Sequence, residues 1–570
     1  MLDKIESLIS AGRYFEAHNL AEVFCAENPD NLKAQQLCGL SMSKSGARLA
    51  AIQFLEPILQ AHNNDAETAG ILGGVYKEHF KMTADSNFAR KSLETYLSNF
   101  TTTRSYYTGI NAATMSQILG RGKTAKEVAA EVIDIAQHDD SFWSYATVGE
   151  AYLLLRNSTK ALEFYNKAAQ LGEGDYGKKG STYAQLNILN HYINVPDAIL
   201  ALFAPPNVAV FAGHMIDHNR PEPRFPSEIS DQIKLAITNE LIRNNIKIGF
   251  TSLACGSDIL FVEALLALGG EAKILIPFNR EDFIQTSVAF AGDEWVERFK
   301  KIEDSQQLTY ISQSNYNHDD ILFQFLSKVL IGSGVMRASL FYSQPYLLTV
   351  ASEKDHSLKQ GGTNSLKTLW PYPQNIININ PDIFVNSMGL IGNPESAMKE
   401  PVPHKNQGIS KNIRYFILAK LIIDENKDAA EVEEVMLKIK AEFIEFPGNR
   451  RSGIDNDEVY AVYTKAYYAM DFALRLLGWA HGMDIQVRIG LEAALMEKGS
   501  ENKETIKQTS SLKSLAFADA CYATMQFATA LSSEQPARYD FHHVGIISDG
   551  EIDAGQEIYK IDYKMKTALS

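Results

Sequence analysis

The chain has 570 residues, of which 45% are hydrophobic and 22% charged, and a formal net charge of −15. At about 150 residues per domain this suggests about four domains, with apolar mass for several cores. The acidic balance argues against a general nucleic-acid surface, which requires clustered Lys and Arg.

The N-terminus, MLDKIESLIS, has neither the basic start nor the apolar run of a signal peptide. No apolar stretch approaches the roughly 18 to 20 residues that span a bilayer, so no membrane partner is expected. Cys25, Cys38, Cys255 and Cys521 lack CxxC spacing or any pairing pattern. They read as reduced core residues of a cytoplasmic protein.

A repeat opens the chain. Gly12 and Gly46 are 34 residues apart, as are Gly39 and Gly73, and Ala17 and Ala51; a later unit over 143–175 carries Gly149, Ala161, Tyr165 and Ala168. Small residues at this period let antiparallel helices pack closely, and the pattern resembles the tetratricopeptide (TPR) repeat. Residues Lys81 to Asn87 read as a longer turn. The segment Tyr106-Tyr107-Thr108-Gly109-Ile110-Asn111-Ala112-Ala113 resembles the central repeat region of apoptosis signal-regulating kinases. A TPR-like α-solenoid over 1–200 implies either a surface for a protein partner or an intramolecular scaffold. Gly122-Lys123-Thr124 has the ending of a phosphate-binding loop. Gln117 stands where its first glycine belongs, however, and the pattern is helix–turn–helix, so it reads as a turn.

After Pro205-Pro206 the pattern becomes β-α-β-α-β. Strands are predicted over Asn207 to Ala212, Ile246 to Thr251, Ala272 to Ile276 and Tyr346 to Ala351, with helices from Ser227 and from Ile259 to Leu268. This order predicts a Rossmann-like, doubly wound parallel sheet over 205–390, with ligands at the carboxyl ends of its strands. The turns there supply the candidate ligand-binding residues: Gly213 and His214, then Gly256, Ser257 and Asp258, then Gly361, Gly362 and Thr363. Glycines permit close backbone approach, and a helix start attracts phosphate. Asp258 also reads as an N-cap. Glu263, on an apolar helix stretch, is either an exposed stripe or a pocket carboxylate. His214 and His218 lack the carboxylate or thiol cluster of a metal site. The region resembles the SLOG superfamily, related to the cytokinin-activating LOG proteins, whose Gly-Gly-x-Gly-Thr-x-x-Glu loop is matched only by Gly361-Gly362-Thr363. The resemblance implies nucleotide binding; if it extends to nucleotide cleavage, Asp258 and Glu263 are the candidate catalytic residues.

Residues 391–412 read as a linker. The segment 413–565 follows the element order of class III adenylate/guanylate cyclases, a ferredoxin-like α+β fold: a strand Arg414 to Lys420, a helix Ala429 to Phe446, a hairpin into Val459–Tyr463, a helix Lys465 to Trp479, Val487-Arg488-Ile489-Gly490-Leu491, a helix Ser514 to Ala530, and closing strands from Phe541 to Tyr559. In that family two aspartates hold metal. Here Lys420 replaces the first, Asp457 falls on the second as a vestigial candidate, and the Asn-x-x-x-Arg pair falls on Asp519 and Ala523. An ammonium cannot ligate a divalent cation, and losing a preorganised cation costs orders of magnitude in phosphoryl transfer.

These features predict a multidomain α and α/β cytoplasmic signalling or sensor protein. It would take a nucleotide or nucleotide-derived ligand in the middle domain and a protein partner on the repeats. The inactive cyclase-like domain would serve homodimerisation or regulation. The alternatives are an active nucleotidyl cyclase, which alone would need Mg²⁺, and a SLOG-type nucleotide hydrolase.

Overall fold

A computed structural model describes residues 1–62, 65–218, 222–316, 320–354, 362–389, 411–423, 429–455, 457–483, 485–497, 512, 517–547 and 556–564. Contact density divides the chain into two compact units, Met1–Pro205 with Asp540–Ser570, and Pro206–Tyr539.

The first unit is built of helices in consecutive pairs, from Leu2–Ser10 to Asp197–Phe203. The turn between the helices of a pair recurs in a left-handed conformation: Gly12 (φ 75°), Gly46 (φ 89°), Ala84 (φ 55°), Gly120 (φ 72°) and Arg156 (φ 65°). The repeat is thus a backbone geometry that glycine satisfies without strain and that Ala84 and Arg156 adopt at a cost of about 1 kcal/mol each. Around Ala84 the expected longer turn is absent. Ala66–Thr83 and Ser86–Thr103 are instead 18-residue helices separated by two residues. The other small positions mark close helix contacts, since a Cβ on Gly39 would meet Leu55, on Gly73 Tyr96, and on Gly149 Tyr165. Gly122-Lys123-Thr124 opens the helix Gly122–Ala136.

Two strands join this unit, β12 (Tyr539–Ile547) and β13 (Gln556–Tyr563), numbered in chain order. Ile546 N donates to Gly12 O (3.1 Å), and a Cβ on Gly46 would meet Lys560 and Val544. The repeat turns thereby seat strands that the sequence assigns to the C-terminal domain.

The second unit contains two sheets. The first has strands β1 (Asn207–Gly213), β2 (Ile246–Thr251), β3 (Glu271–Ile276), β4 (Leu308–Tyr310), β5 (Pro345–Val350) and β6 (Ile376–Ile379). All pairings are parallel, in the order β4-β3-β2-β1-β5-β6. The chain therefore winds outward from β1 to β4 and restarts on the other side with β5, so the switch point lies between β1 and β5. Hydrophobic runs in the central strands suit a sheet buried on both faces: Val208, Ala209, Val210 and Phe211 are each at most 1% exposed. β4 and β6 escape the sequence reading because their runs are only three and four residues long. Helix Ile321–Phe341 corrects the expectation about apolar length. By length and composition it could cross a membrane, yet 67% of its apolar window is buried in the protein, against β1, β2 and the helix Met525–Glu534.

The second sheet is mixed. It includes β7 (Lys411–Ile422), β8 (Asn449–Asp455), β9 (Glu458–Tyr463), β10 (Gln486–Glu497) and β11 (Ala520–Thr524), in the order β11-β10-β7-β9-β8. Helices Ala429–Glu445 and Ala466–Gly482 lie between its strands in sequence. The expected helix Ser514 to Ala530 differs. Ala520–Thr524 is a fully buried strand pairing parallel with β10, and the helix is Met525–Glu534. The element order of the resembled family places a helix there, and a short buried apolar run does not by itself separate strand from helix. Most of the expected linker lies outside the described residues, and its last two, Lys411 and Asn412, belong to β7.

Candidate functional site

Two of the three predicted turns meet at the carboxyl edge of the parallel sheet. Gly213 ends β1, and a Cβ there would overlap the Ser257 side chain. Gly256 (φ 90°) precedes the helix Ser257–Ala267, and a Cβ there would lie 2.8 Å from Ile216 N and 3.0 Å from His214 O. Both glycines thus bring the β2 turn against the β1 turn. Ser257 completes the junction, donating from its N (3.2 Å) and its hydroxyl to His214 O.

His214 is buried and bridges the switch point. Its N donates to Val350 O (2.9 Å), at the end of β5, and its Nε2 accepts from Ser352 N (2.9 Å). An accepting Nε2 assigns the neutral ring its proton on Nδ1. Ser352 Oγ in turn donates to the buried Asp382 carboxylate (2.8 Å). Asn378 Oδ1 accepts from Thr349 Oγ1 (2.8 Å) and Lys367 Nζ (2.8 Å). Ser352, Asn378 and Asp382 were missed by the sequence reading. Only Ser352 carries a signal, its place just after the strand predicted over Tyr346 to Ala351, which does not separate it from an ordinary loop residue. Asn378 lies on β6 and Asp382 follows it, and the sequence reading has no strand there.

Asp258 is buried at the helix start. It does not cap its own helix; its carboxylate accepts from Ala254 N (3.3 Å) and from the Gly213 amide, linking the β2 and β1 turns. Burial pushes its pKa up to about 7 against those two hydrogen bonds. Burial also raises the neighbouring Cys255 thiol to about 12. The other candidate carboxylate has a different environment. Glu263 takes two hydrogen bonds from Arg298 (2.8 and 2.7 Å) and one from Lys234 Nζ (2.6 Å). Burial works against its charge, but the two cations outweigh it and hold its pKa below the usual range.

Gly361 lies outside the described residues. Gly362 has an ordinary extended backbone (φ −80°), and Thr363 opens a seven-residue helix. His218 stacks edge-on against Phe290, with centroids 5.9 Å apart. Among the described residues no group of three or more His, Cys, Asp or Glu side chains could hold a metal.

On the second sheet, Lys420 pairs in register with Glu458 on β9 and Arg488 on β10. Its Nζ lies 3.6 Å from Asp457 Oδ2, both side chains being about half exposed. The two residues that the cyclase resemblance would assign to metal ligands therefore form an ion pair with each other. A divalent cation does not fit: one donor is replaced by a cation and the other is neutralised by it. Asp519 and Ala523 sit on no helix. Asp519 (φ 59°) exchanges hydrogen bonds with Val487, its N donating to Val487 O (2.7 Å) and its Oδ1 accepting from Val487 N (3.2 Å), and Ala523 is a buried residue of β11.

In the repeats, Asn111 of the Tyr-Tyr-Thr-Gly-Ile-Asn segment belongs to a polar network. Lys77 Nζ donates to Asn111 Oδ1 (3.1 Å) and Gln185 Oε1 (2.9 Å), while the buried Glu150 accepts from Thr114 Oγ1 and from Gln185 Nε2 (2.7 Å). Burial lowers the Lys77 pKa and raises that of Glu150.

Residues 13–116 match the family model described as Tetratricopeptide Repeats-Sensor. Solved structures with similarity include a thermophilic TPR protein from Thermus thermophilus, at 18% identity over 32% of this chain and 96% of that one, with a TM-score of 0.28. The MamA protein is similar at 17% identity over 30% and 90%, with a TM-score of 0.24. An adenylate/guanylate cyclase/hydrolase from Silicibacter pomeroyi is similar at 13% identity over 26% and 96%, with a TM-score of 0.23. No curated protein matches the chain. The N-terminal region is a helical repeat of the tetratricopeptide type.

Proposed function

We propose that the protein is a signalling sensor that binds a nucleotide or nucleotide-derived molecule at the carboxyl edge of the β1–β6 sheet. In this reading the repeats receive a protein partner, in keeping with the sensor class of the matching family. The second sheet serves homodimerisation or regulation rather than cyclisation, and the protein works in the cytoplasm.

The observation that carries the ligand claim is the convergence of the β1 and β2 turns, with the start of an eleven-residue helix, beside the β1/β5 switch point. Open α/β sheets take ligands at that crevice, and helix-start amides favour phosphate. The Lys420–Asp457 pair supports the regulatory reading of the second sheet, so no Mg²⁺-dependent step is assigned to it.

The test is to denature the purified full chain and identify any released nucleotide by mass spectrometry. Binding of the same compound is then measured by calorimetry in the wild type and in Gly256→Val. A bound nucleotide whose affinity falls at least tenfold in the variant supports the reading. Unchanged affinity in a folded Gly256→Val protein moves the site elsewhere. Formation of a cyclic nucleotide from any nucleoside triphosphate with Mg²⁺ or Mn²⁺ would overturn the regulatory role of the second sheet.

A further inference from the structure

The fold brings together two of the four cysteines that sequence spacing left unpaired. Cys25 lies on the helix Tyr14–Glu27 and Cys38 on the next helix, Leu32–Lys44, and both belong to one apolar cluster with Ala21 and Leu37. The two helices pack on one another, and the two thiols lie near enough to affect each other's ionisation. His18 lies seven residues before Cys25, on the same helix face, with its Nδ1 3.7 Å from Cys38 Sγ. Cys38 and His18 are buried, whereas Cys25 is partly exposed. One side of the pair therefore meets solvent, and the other is held against a ring nitrogen.

We propose that Cys25 and Cys38 form a reversible redox site, which hydrogen peroxide converts to a disulfide tying the helix Tyr14–Glu27 to the helix Leu32–Lys44. The Cys25 sulfur attacks one peroxide oxygen and the O–O bond breaks. Cys25 becomes a sulfenic acid, and the leaving hydroxide takes up the thiol proton as water. The Cys38 thiol then gives its proton to His18 Nδ1, and its sulfur attacks Cys25 Sγ. The S–S bond forms, the S–O bond breaks, and the departing hydroxide recovers the proton from His18 as a second water. Two thiols lose two electrons in total, and peroxide is reduced to two waters.

The environment sets the pace of this chemistry. Burial raises both thiols, Cys38 to about 12, so both rest protonated and react slowly. Burial also lowers the His18 pKa, which keeps the imidazole neutral and able to accept the proton. The site is thus suited to sustained peroxide rather than to trace exposure. It also lies on the helix that begins just after Gly12, whose carbonyl seats Ile546.

The test uses the full chain, treated with hydrogen peroxide, quenched, denatured, alkylated and digested without reductant for mass spectrometry. The expected product is a Cys25–Cys38 linked peptide that dithiothreitol removes, with Cys255 and Cys521 still alkylated. Cys38→Ala should leave a sulfenic acid on Cys25 that dimedone traps. His18→Gln should give the same disulfide about tenfold or more slowly at neutral pH. The proposal fails if all four cysteines remain alkylatable under peroxide that oxidises free glutathione in the same tube. It also fails if the disulfide joins any other pair.

Discussion

At the scale of single residues, Asp258 and Lys420 show how environment rather than residue type assigns a role. Asp258 is a carboxyl held dry between two backbone amides, and burial raises its pKa to about 7. An unfolded aspartate ionises near 4, so the folded state favours the protonated form. The sign follows: this group's contribution to stability is complete below about pH 4 and is lost as pH rises through about 7. In urea unfolding, the stability of the wild type relative to Asp258→Asn should fall by a few kcal/mol between about pH 4 and pH 8. A difference that stays constant with pH would show that Asp258 is not desolvated in this way. The Lys420–Asp457 pair is half exposed and 3.6 Å apart. Lys420→Ala should therefore shift stability by no more than about 1 kcal/mol, as read from the denaturation midpoint. In the sequence the lysine stood out because the cyclase resemblance puts a carboxylate at its position. That it would meet Asp457 required the register of β7 against β9.

At the scale of elements, the second unit is organised around the contact between helices Ile321–Phe341 and Met525–Glu534. They approach so closely that a Cβ on Gly332 would overlap the Thr529 carbonyl. Alongside, Lys328 Nζ contacts Glu534 Oε1 (2.6 Å) and Tyr415 OH (3.2 Å). Glu534 Oε2 accepts from Ala466 N (3.0 Å), at the start of the helix Ala466–Gly482. The Glu534 carboxylate thus joins a helix packed on the first sheet to a helix start of the second, while the Lys328 ammonium reaches a strand of the second. Gly332→Ala should destabilise the unit by about 1–3 kcal/mol, because backbone cannot rotate aside as a side chain can. A thermal midpoint equal to that of the wild type would contradict this close approach. None of this was visible in sequence. The sequence reading assigns no element to residues 321–341 and so gives neither this helix nor the surface that buries it.

At the scale of the whole molecule, the strands β12 and β13 group with the repeats although they close a segment that reads as one C-terminal domain. They are seated by Gly12, Gly46 and a charged cluster in which Lys560 lies 2.9 Å from Asp562. Burial pushes His542 down to about 4, with Arg48 and Lys560 adding to the effect and Asp562 opposing it. A chain ending at residue 539 should lose thermal stability in its helical unit, followed by hydrogen exchange in residues 14–61. Unchanged protection there would mean that the strands contribute nothing to the repeats. Sequence alone determined the repeat and the central strands: the 34-residue period, the β-α-β order and the glycine-bearing turns are local patterns fixed by backbone geometry and burial of an apolar face. It also named Gly213, His214, Gly256, Ser257 and Asp258 as neighbours in prospect, because the turns of a doubly wound sheet must share one edge. Only the tertiary structure decided what those groups contact, tying Glu263 to two cations, pairing Lys420 with Asp457 and bringing Cys25 to Cys38. Such partners depend on distances across many residues, which hydrophobic period and turn chemistry do not encode.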